Sequence, residues 1–400
     1  MLKYIYAILL ISLSFSIHSQ ENNDIKLSAL PYYSYGKGLG ITSPDSIFKL
    51  NIRFRMQNRF TYLNNSDTED GYEAMIRRLR LRFDGYVGDP SIIYVIQLSF
   101  SPNDVGAIED GDNLNIIRDA IVFYRPNEHW NIGFGQTKLP GNRQRINSSG
   151  ALQLTDRSIN NARFNIDRDF GLQVYYLNEL ENKFSYNVKT AVSTGEGRNW
   201  TKEPDNGLAV TGRLELFPFG AFKSNGTLFE GDLKREETPK LMLSGVYHFN
   251  NNARRTRGTI GDDLYEQRDL QSVLLDAVLK YNGWAFQTAY MSRTTDNPIT
   301  INPEDASDSR YVFVGHGFDT QLSYIFESNY EIIGRFSYQE PHKKIETLTP
   351  QTNQYSLGVT KYIWEHSLKL QAEVTNSEFN YFDSSTSNDW YLRFQIEIGI

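Results

Sequence analysis

The sequence has no cysteine among its 400 residues. This absence excludes disulfide bonds, cysteine-ligated metal sites, thiol catalysis and a lipid anchor on an N-terminal cysteine. The motifs G-x-S-x-G, H-E-x-x-H and the P-loop are missing as well, and the six histidines do not have metal-ligand spacing. We therefore expect neither an enzyme nor a cofactor, and a fold held together by hydrogen bonds and packing.

Long apolar runs are also missing, apart from residues 4–17, which form a short run interrupted by serines. That run follows Lys3 and precedes Ser19, a pattern that predicts a cleavable signal peptide over residues 1–19 and export from the cytoplasm. The mean hydropathy of −0.49 is too low for a set of membrane helices. A transmembrane β-barrel remains compatible with this value, because only every second residue of its strands meets lipid.

The chain does not carry the positive charge that a nucleic-acid-binding protein needs, since its formal net charge is −7. It has many aromatic residues, with 25 Tyr, 24 Phe and 5 Trp. Aromatic side chains favour β-strands in general and the girdles at membrane interfaces in particular. These bulk properties favour an exported β protein that does not bind nucleic acid.

The dominant pattern in the sequence is a strict alternation of apolar and polar residues, repeated in about sixteen short segments. Strand side chains point alternately to opposite faces, so each segment predicts one face for lipid and one for water. The clearest segment places Phe48, Leu50, Ile52, Phe54 and Met56 on one face and Lys49, Asn51, Arg53, Arg55 and Gln57 on the other. The predicted strands lie near residues 47–62, 72–87, 92–100, 115–124, 130–139, 169–177, 183–192, 208–217, 240–249, 270–281, 284–293, 315–326, 330–338, 353–362, 367–375 and 390–400.

The connectors between these segments alternate between short and long. Tight turns such as Asn282-Gly283 alternate with long polar stretches such as residues 140–168. Outer-membrane barrels show this alternation between their two ends. The connector at residues 218–239 departs from it, because it is long where a short one is expected, and it is either a periplasmic excursion or a miscounted hairpin.

Together the patterns predict an all-β fold, a transmembrane antiparallel β-barrel of about 16 strands with short periplasmic turns and long extracellular loops. We divide the chain into a signal peptide (1–19), an N-terminal lead-in segment (20–46) and a barrel domain (47–400). The last segment ends at Ile400 in the middle of an amphipathic strand. Such an ending is typical of a barrel whose last strand closes against its first.

Arginines follow the polar face of the first two predicted strands. Six of them on the lipid face would cost about 2 to 4 kcal/mol each near the midplane, so the face that carries them must line the lumen. The candidate lumenal anion-binding residues are Arg53, Arg55, Arg59, Arg78, Arg80 and Arg82. Six acids also fall at inward positions, namely Glu215, Asp276, Asp319, Glu331, Glu373 and Glu397. Anion preference and a mixed, weakly selective lumen therefore both remain open.

The connector at residues 140–168 is rich in arginine and has little apolar periodicity. A loop of this length in a compact fold is usually functional, and in a porin it would fold inward and narrow the pore. It could equally remain outside as a solvated loop. The constriction candidates are Lys138, Arg143, Arg145, Arg157 and Arg163.

Two other interpretations compete with the pore. A secreted soluble β-sandwich, binding carbohydrate or serving as a surface structural protein, would also alternate apolar and polar residues. It would not favour connectors of alternating length. An outer-membrane barrel enzyme is a third possibility, but no set of Ser, His and Asp residues stands out to support it.

Several segments, taken in order, resemble the phosphate-selective porin O and P family of outer-membrane porins. They are residues 38–53 at the start of the first strand, 77–83 in the arginine-rich second strand, 118–126, 135–140, 169–173 and 211–213. The resemblance covers nearly the whole mature chain and is densest between Gly38 and Gln173. One departure is that we find no lysine cluster of the kind that selective members place around the pore.

The resemblance implies a trimeric, sixteen-stranded porin in the outer membrane of a Gram-negative bacterium, surrounded by its lipid. It implies passive conduction of small anions such as phosphate or polyphosphate. By position, Arg78, Arg80 and Arg82 would belong to the family's lumenal arginine ladder, and Lys138 to the signature that precedes the constriction. Because the lysine cluster is missing, the resemblance supports a porin better than it supports phosphate selectivity.

Overall fold

The computed structural model describes residues 38–66, 69–105, 115–199 and 207–400. Within these ranges sixteen antiparallel strands pair in sequence order, and the last of them pairs with the first. The predicted antiparallel β-barrel is therefore confirmed, and a soluble sandwich is excluded. The predicted signal peptide and the first part of the lead-in segment lie outside the described residues.

All sixteen predicted segments form strands of the barrel, and three short strands add to them. The strands are β1 (Leu39–Thr42), β2 (Phe48–Asn64), β3 (Gly71–Val87), β4 (Asp89–Ser99), β5 (Ile117–Tyr124), β6 (Trp130–Lys138), β7 (Arg168–Asn178), β8 (Ser185–Ser193), β9 (Ala209–Phe217), β10 (Lys240–Arg255), β11 (Asp263–Tyr281), β12 (Trp284–Thr294), β13 (Ile299–Ile301), β14 (Ser309–Tyr311), β15 (Gly315–Ile325), β16 (Tyr330–Pro341), β17 (Gln351–Trp364), β18 (Leu368–Asn380) and β19 (Thr386–Gly399). The short strands are β1, which pairs with β2, and the hairpin β13–β14, which lies in a long loop.

Helices in the described part of the chain are short and lie in connectors. They are α1 (Pro102–Val105), α2 (Arg143–Ile146) and α3 (Ile159–Phe164), with 3-10 turns at Ser149–Ala151 and Lys223–Leu228. Among the described residues, no helix has both the length and the apolar character needed to cross a membrane.

The alternation of the sequence becomes the two faces of the wall. On β2 the Arg53 side chain points inward and is 8% exposed, whereas its neighbour Phe54 points outward and is 40% exposed. Aromatic side chains form clusters on the outer face near both ends of the barrel. One cluster joins Phe60, Tyr62, Tyr72 and Trp390 at the end with the long loops, and another joins Trp284, Tyr324 and Phe326 at the end with the short turns. These clusters have the placement of interface girdles.

The unusual connector at residues 218–239 folds into the lumen from the short-turn end; we call it the inner connector. It contains no strand, so the hairpin count from the sequence is correct and the connector is an excursion. The excursion goes inside the barrel. Its glutamate Glu230 is 1% exposed and accepts a hydrogen bond from the backbone of Gln153, on the loop between β6 and β7 (2.9 Å).

Part of the lumen is apolar, so the prediction of a water-filled interior is wrong on one side of the barrel. Thirteen buried side chains form a cluster there, namely Leu139, Phe164, Ile166, Ala191, Val246, Ala253, Leu270, Leu274, Met291, Val312, Phe313, Val314 and Ile345. Inward positions of β8, β10, β11 and β12 contribute apolar residues to it, and the loops supply the rest. Burial of these side chains fixes the loops against the wall and excludes water from this side.

Candidate functional site, a cationic wall and its constriction loop

The connector between β6 and β7, residues 139–167, crosses the lumen; we call it the constriction loop. Buried Lys369 on β18 donates from its ammonium group to the carbonyl oxygens of Gly150 (2.8 Å) and Leu152 (2.6 Å). The Thr155 hydroxyl donates to the carboxylate of Glu373, also on β18 (2.7 Å). These bonds confirm that the loop folds inward. Because it lies inside the wall, its polar backbone is satisfied by side chains that the wall points into the lumen.

The inward faces of β2 and β3 carry the predicted arginine ladder. Arg53 and Arg55 on β2 lie opposite Arg82 and Arg80 on β3, whereas Arg78 on β3 lies opposite Gln57 and Arg59 on β2 lies opposite Met75. All six arginines point inward. A β-bulge between Gln57 and Asn58 adds one residue to β3 at this point, so Arg77 enters the lumen beside Arg78. The wall is therefore more cationic than strict alternation predicts.

A second β-bulge, on β5, also brings an additional arginine into the lumen. The register between β4 and β5 shifts after Gln97, which pairs with Asp119, while Leu98 pairs with Ile117. Arg118 is the residue left over, and its side chain is buried and forms an ion pair with Asp104 of α1 (2.8 Å). Strand alternation assigns only one of two consecutive residues to the lumen, which is why sequence analysis missed both extra arginines.

Asp156 of the constriction loop is the point where the loop meets the ladder. Its carboxylate forms ion pairs with Arg59 (3.1 Å), Arg77 (2.9 Å) and Arg78 (3.1 Å). Burial by itself raises the pKa of Asp156, but the guanidinium groups of Arg77, Arg78 and Arg59 outweigh it and hold that pKa well below its usual range. Backbone groups reinforce the contact, since Arg335 on β16 donates to the Asp156 carbonyl oxygen (3.0 Å). One carboxylate therefore anchors the loop to two strands.

Two further carboxylates lie between pairs of cations. Asp104 lies between Arg80 and Arg118, with both ion pairs at 2.8 Å. Burial raises the pKa of Asp104, and the guanidinium groups of Arg80 and Arg118 more than offset this and lower it overall. Asp84 on β3 lies between Arg82 (2.9 Å) and Arg53 (3.3 Å).

A third group lies where the constriction loop joins its strands. Arg168 on β7 pairs with Asp119 on β5 (2.9 Å) and with Asp167 (3.4 Å), and Arg145 of α2 also pairs with Asp167. Lys138 donates from its ammonium group to two carbonyl oxygens of the loop, at residues 146 and 147 (2.9 Å each). The loop leaves β6 and returns to β7 through a buried set of charged contacts.

We call the cations of this region the cationic wall. Its twelve members are Arg53, Arg55, Arg59, Arg77, Arg78, Arg80, Arg82, Arg118, Lys138, Arg145, Arg157 and Arg168. In the described part of the chain, the ion pairs of these side chains reach six carboxylates, those of Asp84, Asp104, Asp119, Asp156, Asp167 and Glu397. Among the residues that the structure describes, the twelve cations of the wall thus outnumber the carboxylates paired with them by six. The ladder is partly neutralised, but its sign is retained.

A cavity of about 660 Å³ lies between the cationic wall and the constriction loop. Its charged lining consists of Arg53, Arg55, Arg80, Arg82, Lys138, Arg168 and Asp119. The hydroxyl groups of Ser148 and Ser149 line it from the loop and accept hydrogen bonds from Arg55, at 3.0 and 2.5 Å. A second cavity, of about 1120 Å³, lies on the side of the short turns, and Ile146 lines both.

The predicted constriction residues do not all lie at this cavity. Lys138, Arg145 and Arg157 belong to the cationic wall. Arg143 lies apart, with its guanidinium group donating to the Thr227 carbonyl oxygen of the inner connector (3.0 Å). Arg163 is exposed, and its guanidinium group lies over the ring of Phe313 (5.3 Å) beside the apolar cluster. A role in anion binding stays a prediction for every member of both sets.

The inward acids predicted from the sequence are all buried, and five of them lie away from the cationic wall. Asp276 accepts a hydrogen bond from the backbone of Arg143 (2.8 Å), and Asp319 accepts one from the Ser158 hydroxyl (2.7 Å). Glu331 accepts from Gln153 and Glu373 from Thr155. These carboxylates bind the constriction loop, so they do not lie free in the path of an ion.

Comparison with known protein families also supports a porin. The family model described as phosphate-selective porin O and P matches residues 48–389 of the chain. A search of curated proteins finds no sequence match.

Solved structures with this fold include several outer-membrane proteins. The channel DcaP of Acinetobacter baumannii has a TM-score of 0.56 and 14% sequence identity, over 90% of this chain and 99% of that one. OmpF of Salmonella typhi, in complex with daunomycin, gives 0.56 and 14%, over 90% and 100%. A loop-deletion mutant of OmpT from Vibrio cholerae gives 0.51 and 14%, over 88% and 99%. At this identity the likeness establishes the barrel fold.

Proposed function

Since this chain belongs to the phosphate-selective porin O and P family, we propose that its barrel lets small anions diffuse passively across the outer membrane in preference to cations. The observation that carries the proposal is the cavity between the cationic wall and the constriction loop, with its surplus of positive charge. Water-filled clefts with low-dielectric walls focus the field of their charges and concentrate counter-ions. The family and the fold indicate a channel rather than an enzyme.

The ion pairs within the wall favour weak binding, which conduction requires. An ion must enter a site favourably and still leave it, so a row of moderate sites conducts better than one deep site. Each guanidinium group on β2 and β3 already shares a carboxylate or a hydroxyl group with a neighbour. A permeating anion therefore competes with Asp84, Asp104 or Asp156 for donors, and this competition moderates its affinity.

Phosphate fits the donors at the cavity. Guanidinium groups match phosphate oxygens with paired, parallel hydrogen bonds. Arg55 and Arg80 both reach Ser149, so two guanidinium groups and a hydroxyl group converge at one point of the lining. We therefore include phosphate among the permeating anions of the proposal.

Reversal potentials in planar bilayers test the anion preference. Purified protein under a gradient of potassium chloride should pass chloride in preference to potassium. Arg80→Ala combined with Arg82→Ala should reduce this preference, because both side chains line the cavity. Arg268→Ala combined with Arg310→Ala is the matched control, since these arginines contact backbone carbonyl groups of the long loops outside the cationic wall. A wild-type reversal potential that favours potassium would contradict the proposal.

Added phosphate gives a second measurement on the same bilayers. Phosphate that occupies the wall should lower the chloride current in a saturable manner, and the effect should weaken in the double arginine variant. An equal effect in both proteins would exclude phosphate binding at this wall.

The proposal also includes export and assembly, which we infer from membership of the family. We expect a signal peptide at residues 1–19, insertion in the outer membrane of a Gram-negative bacterium and a homotrimer. Cell fractionation, N-terminal sequencing of the mature protein and cross-linking in detergent check these three points. A protein that leaves washed membranes without detergent would contradict the placement.

A further inference from the structure

The inner connector is a built element inside the lumen. It leaves β9 at Pro218, enters the barrel from the short-turn end and returns to β10 after Pro239. Residues 226–232 are buried or half-buried, whereas residues 223–224 and 237–239 are exposed at the barrel end. A chain that only joins two neighbouring strands needs a two-residue turn, so the additional residues serve some other purpose.

The wall holds this connector through its backbone. Buried Lys280 on β11 donates from its ammonium group to three carbonyl oxygens, those of Gly226 (2.7 Å), Phe229 (2.9 Å) and Gly231 (2.6 Å). Asp232 accepts a hydrogen bond from the backbone of the tight turn between β11 and β12 (2.8 Å). One ammonium group that satisfies three carbonyl groups fixes the path of the connector at its deepest point.

An aromatic contact holds the connector near the turn between β17 and β18. The ring of Phe229 stacks on that of His366 in the turn between β17 and β18, with centroids 4.5 Å apart and planes at 20°. Contacts therefore extend from β10 and β11 to this turn. The connector therefore reaches across the arc of the lumen from β10 to β18, which it shares with the constriction loop bound to Asp276, Asp319 and Glu373 of the same strands.

The connector also contacts the constriction loop. Arg143 of the loop donates to the carbonyl oxygens of Thr227 (3.0 Å) and Phe229, and the Asn147 amide donates to Thr227 as well (3.2 Å). Glu230 accepts from the side chain of Gln144 and from the backbone of residue 153, at 2.9 Å each. Two segments that enter from opposite ends of the barrel thus meet inside it and bond to each other.

We propose that the inner connector is the second half of the constriction, a fixed plug that closes the β10–β18 side of the lumen and confines ions to the cationic wall. The inference rests on the proposed function, because it assigns a selectivity-determining element to the same pore. The physical reason is screening. The field of the cationic wall falls off over about 8 to 10 Å at physiological salt, so an ion path on the opposite side of the lumen would be much less selective.

The register between β9 and β10 allows the inner connector to be deleted without disturbing the pairing of these two strands. Leu216 on β9 pairs with Leu243 on β10, and extending this register by three steps places Phe219 opposite Lys240. Replacing residues 220–239 with Asn-Gly therefore closes a two-residue hairpin in register. We expect the single-channel conductance to rise by up to roughly twofold, since one of the two segments that fill this side of the lumen is removed, and we expect the anion preference to fall. Polyethylene glycols that wild type excludes should enter the variant.

A point substitution tests the same idea with the connector retained. Lys280→Met removes the ammonium group that holds the three carbonyl oxygens, and we expect rapid fluctuations of current toward the larger conductance of the deletion variant. Lys361→Met is the matched control, because Lys361 lies on the outer face of β17 over the ring of Tyr330 (4.3 Å). Heat-modifiable migration on gels verifies the folded barrel in each variant.

The outcomes separate this inference from the proposed function. Conductance and polymer cut-off equal to wild type in the folded deletion variant would overturn the plug. A larger conductance with unchanged anion preference would overturn its role in selectivity. A wild-type pore that prefers cations would remove the proposed anion preference, and a deletion that still widens the pore would leave the plug in place.

Discussion

Asp156→Asn tests whether one carboxylate holds the constriction loop against the cationic wall. Asp156 accepts four hydrogen bonds from Arg59, Arg77 and Arg78, at 2.9 to 3.1 Å. The substitution preserves the shape of the side chain and removes its negative charge. Three guanidinium groups then lose their shared counter-ion, and the remaining amide oxygen cannot replace it for all of them.

The size of the effect follows from the burial of the group. Breaking a buried ion pair costs about 3 to 5 kcal/mol. The Asp156 side chain is 24% exposed, so solvent screens part of the interaction, and we expect the free energy of unfolding to fall by about 2 to 3 kcal/mol. In the pore, removing one negative charge at about 4 Å in water changes the energy of an anion by about 1 kcal/mol, or about fivefold in occupancy. The anion preference should therefore rise while the barrel becomes less stable.

Two measurements check this prediction. Urea unfolding in detergent micelles gives the stability, and reversal potentials in planar bilayers give the ion preference. Asp383→Asn is the control, because this carboxylate lies in an exposed loop and bonds to the neighbouring Ser385. Unchanged stability would refute the anchoring role of Asp156, and a fall in anion preference would refute the electrostatic reasoning.

Two further predictions concern pH and the apolar cluster. Burial raises the pKa of Asp156, but its guanidinium neighbours outweigh this effect and lower the pKa overall. The contribution of Asp156 to stability is therefore present above the unfolded pKa of about 3.9, and it is lost only as the pH falls through the lower folded pKa. Single-channel conductance, corrected for bulk conductivity, should therefore be equal at about pH 5 and about pH 7, and a reversible jump on acidification that Asp156→Asn abolishes would contradict this. Phe164→Ala should lower the free energy of unfolding by about 3 to 5 kcal/mol, because the ring is fully buried against Phe313. Exposed Phe382→Ala is its control, and equal urea midpoints for the two variants would argue against a packed cluster in the lumen.

The sequence by itself determined the strands and their faces. Alternation is a local property with a period of two, so it identifies a strand and its lumenal side without knowledge of the partner strand. Arg53 and Arg80 were placed correctly in this way, and so were the inward acids. The alternation of connector lengths was enough to predict the two unequal ends of the barrel.

Tertiary structure decided which charges meet. The bulges that bring Arg77 and Arg118 into the lumen depend on the register with a neighbouring strand, and strict alternation along one strand cannot show them. The pairing of Asp156 with the ladder joins residues about eighty to a hundred positions apart. The inner connector folds inward, and the apolar cluster forms, because loops from both ends of the barrel share one enclosed volume. These contacts between distant segments set the shape and charge of the pore, whereas local sequence set its wall.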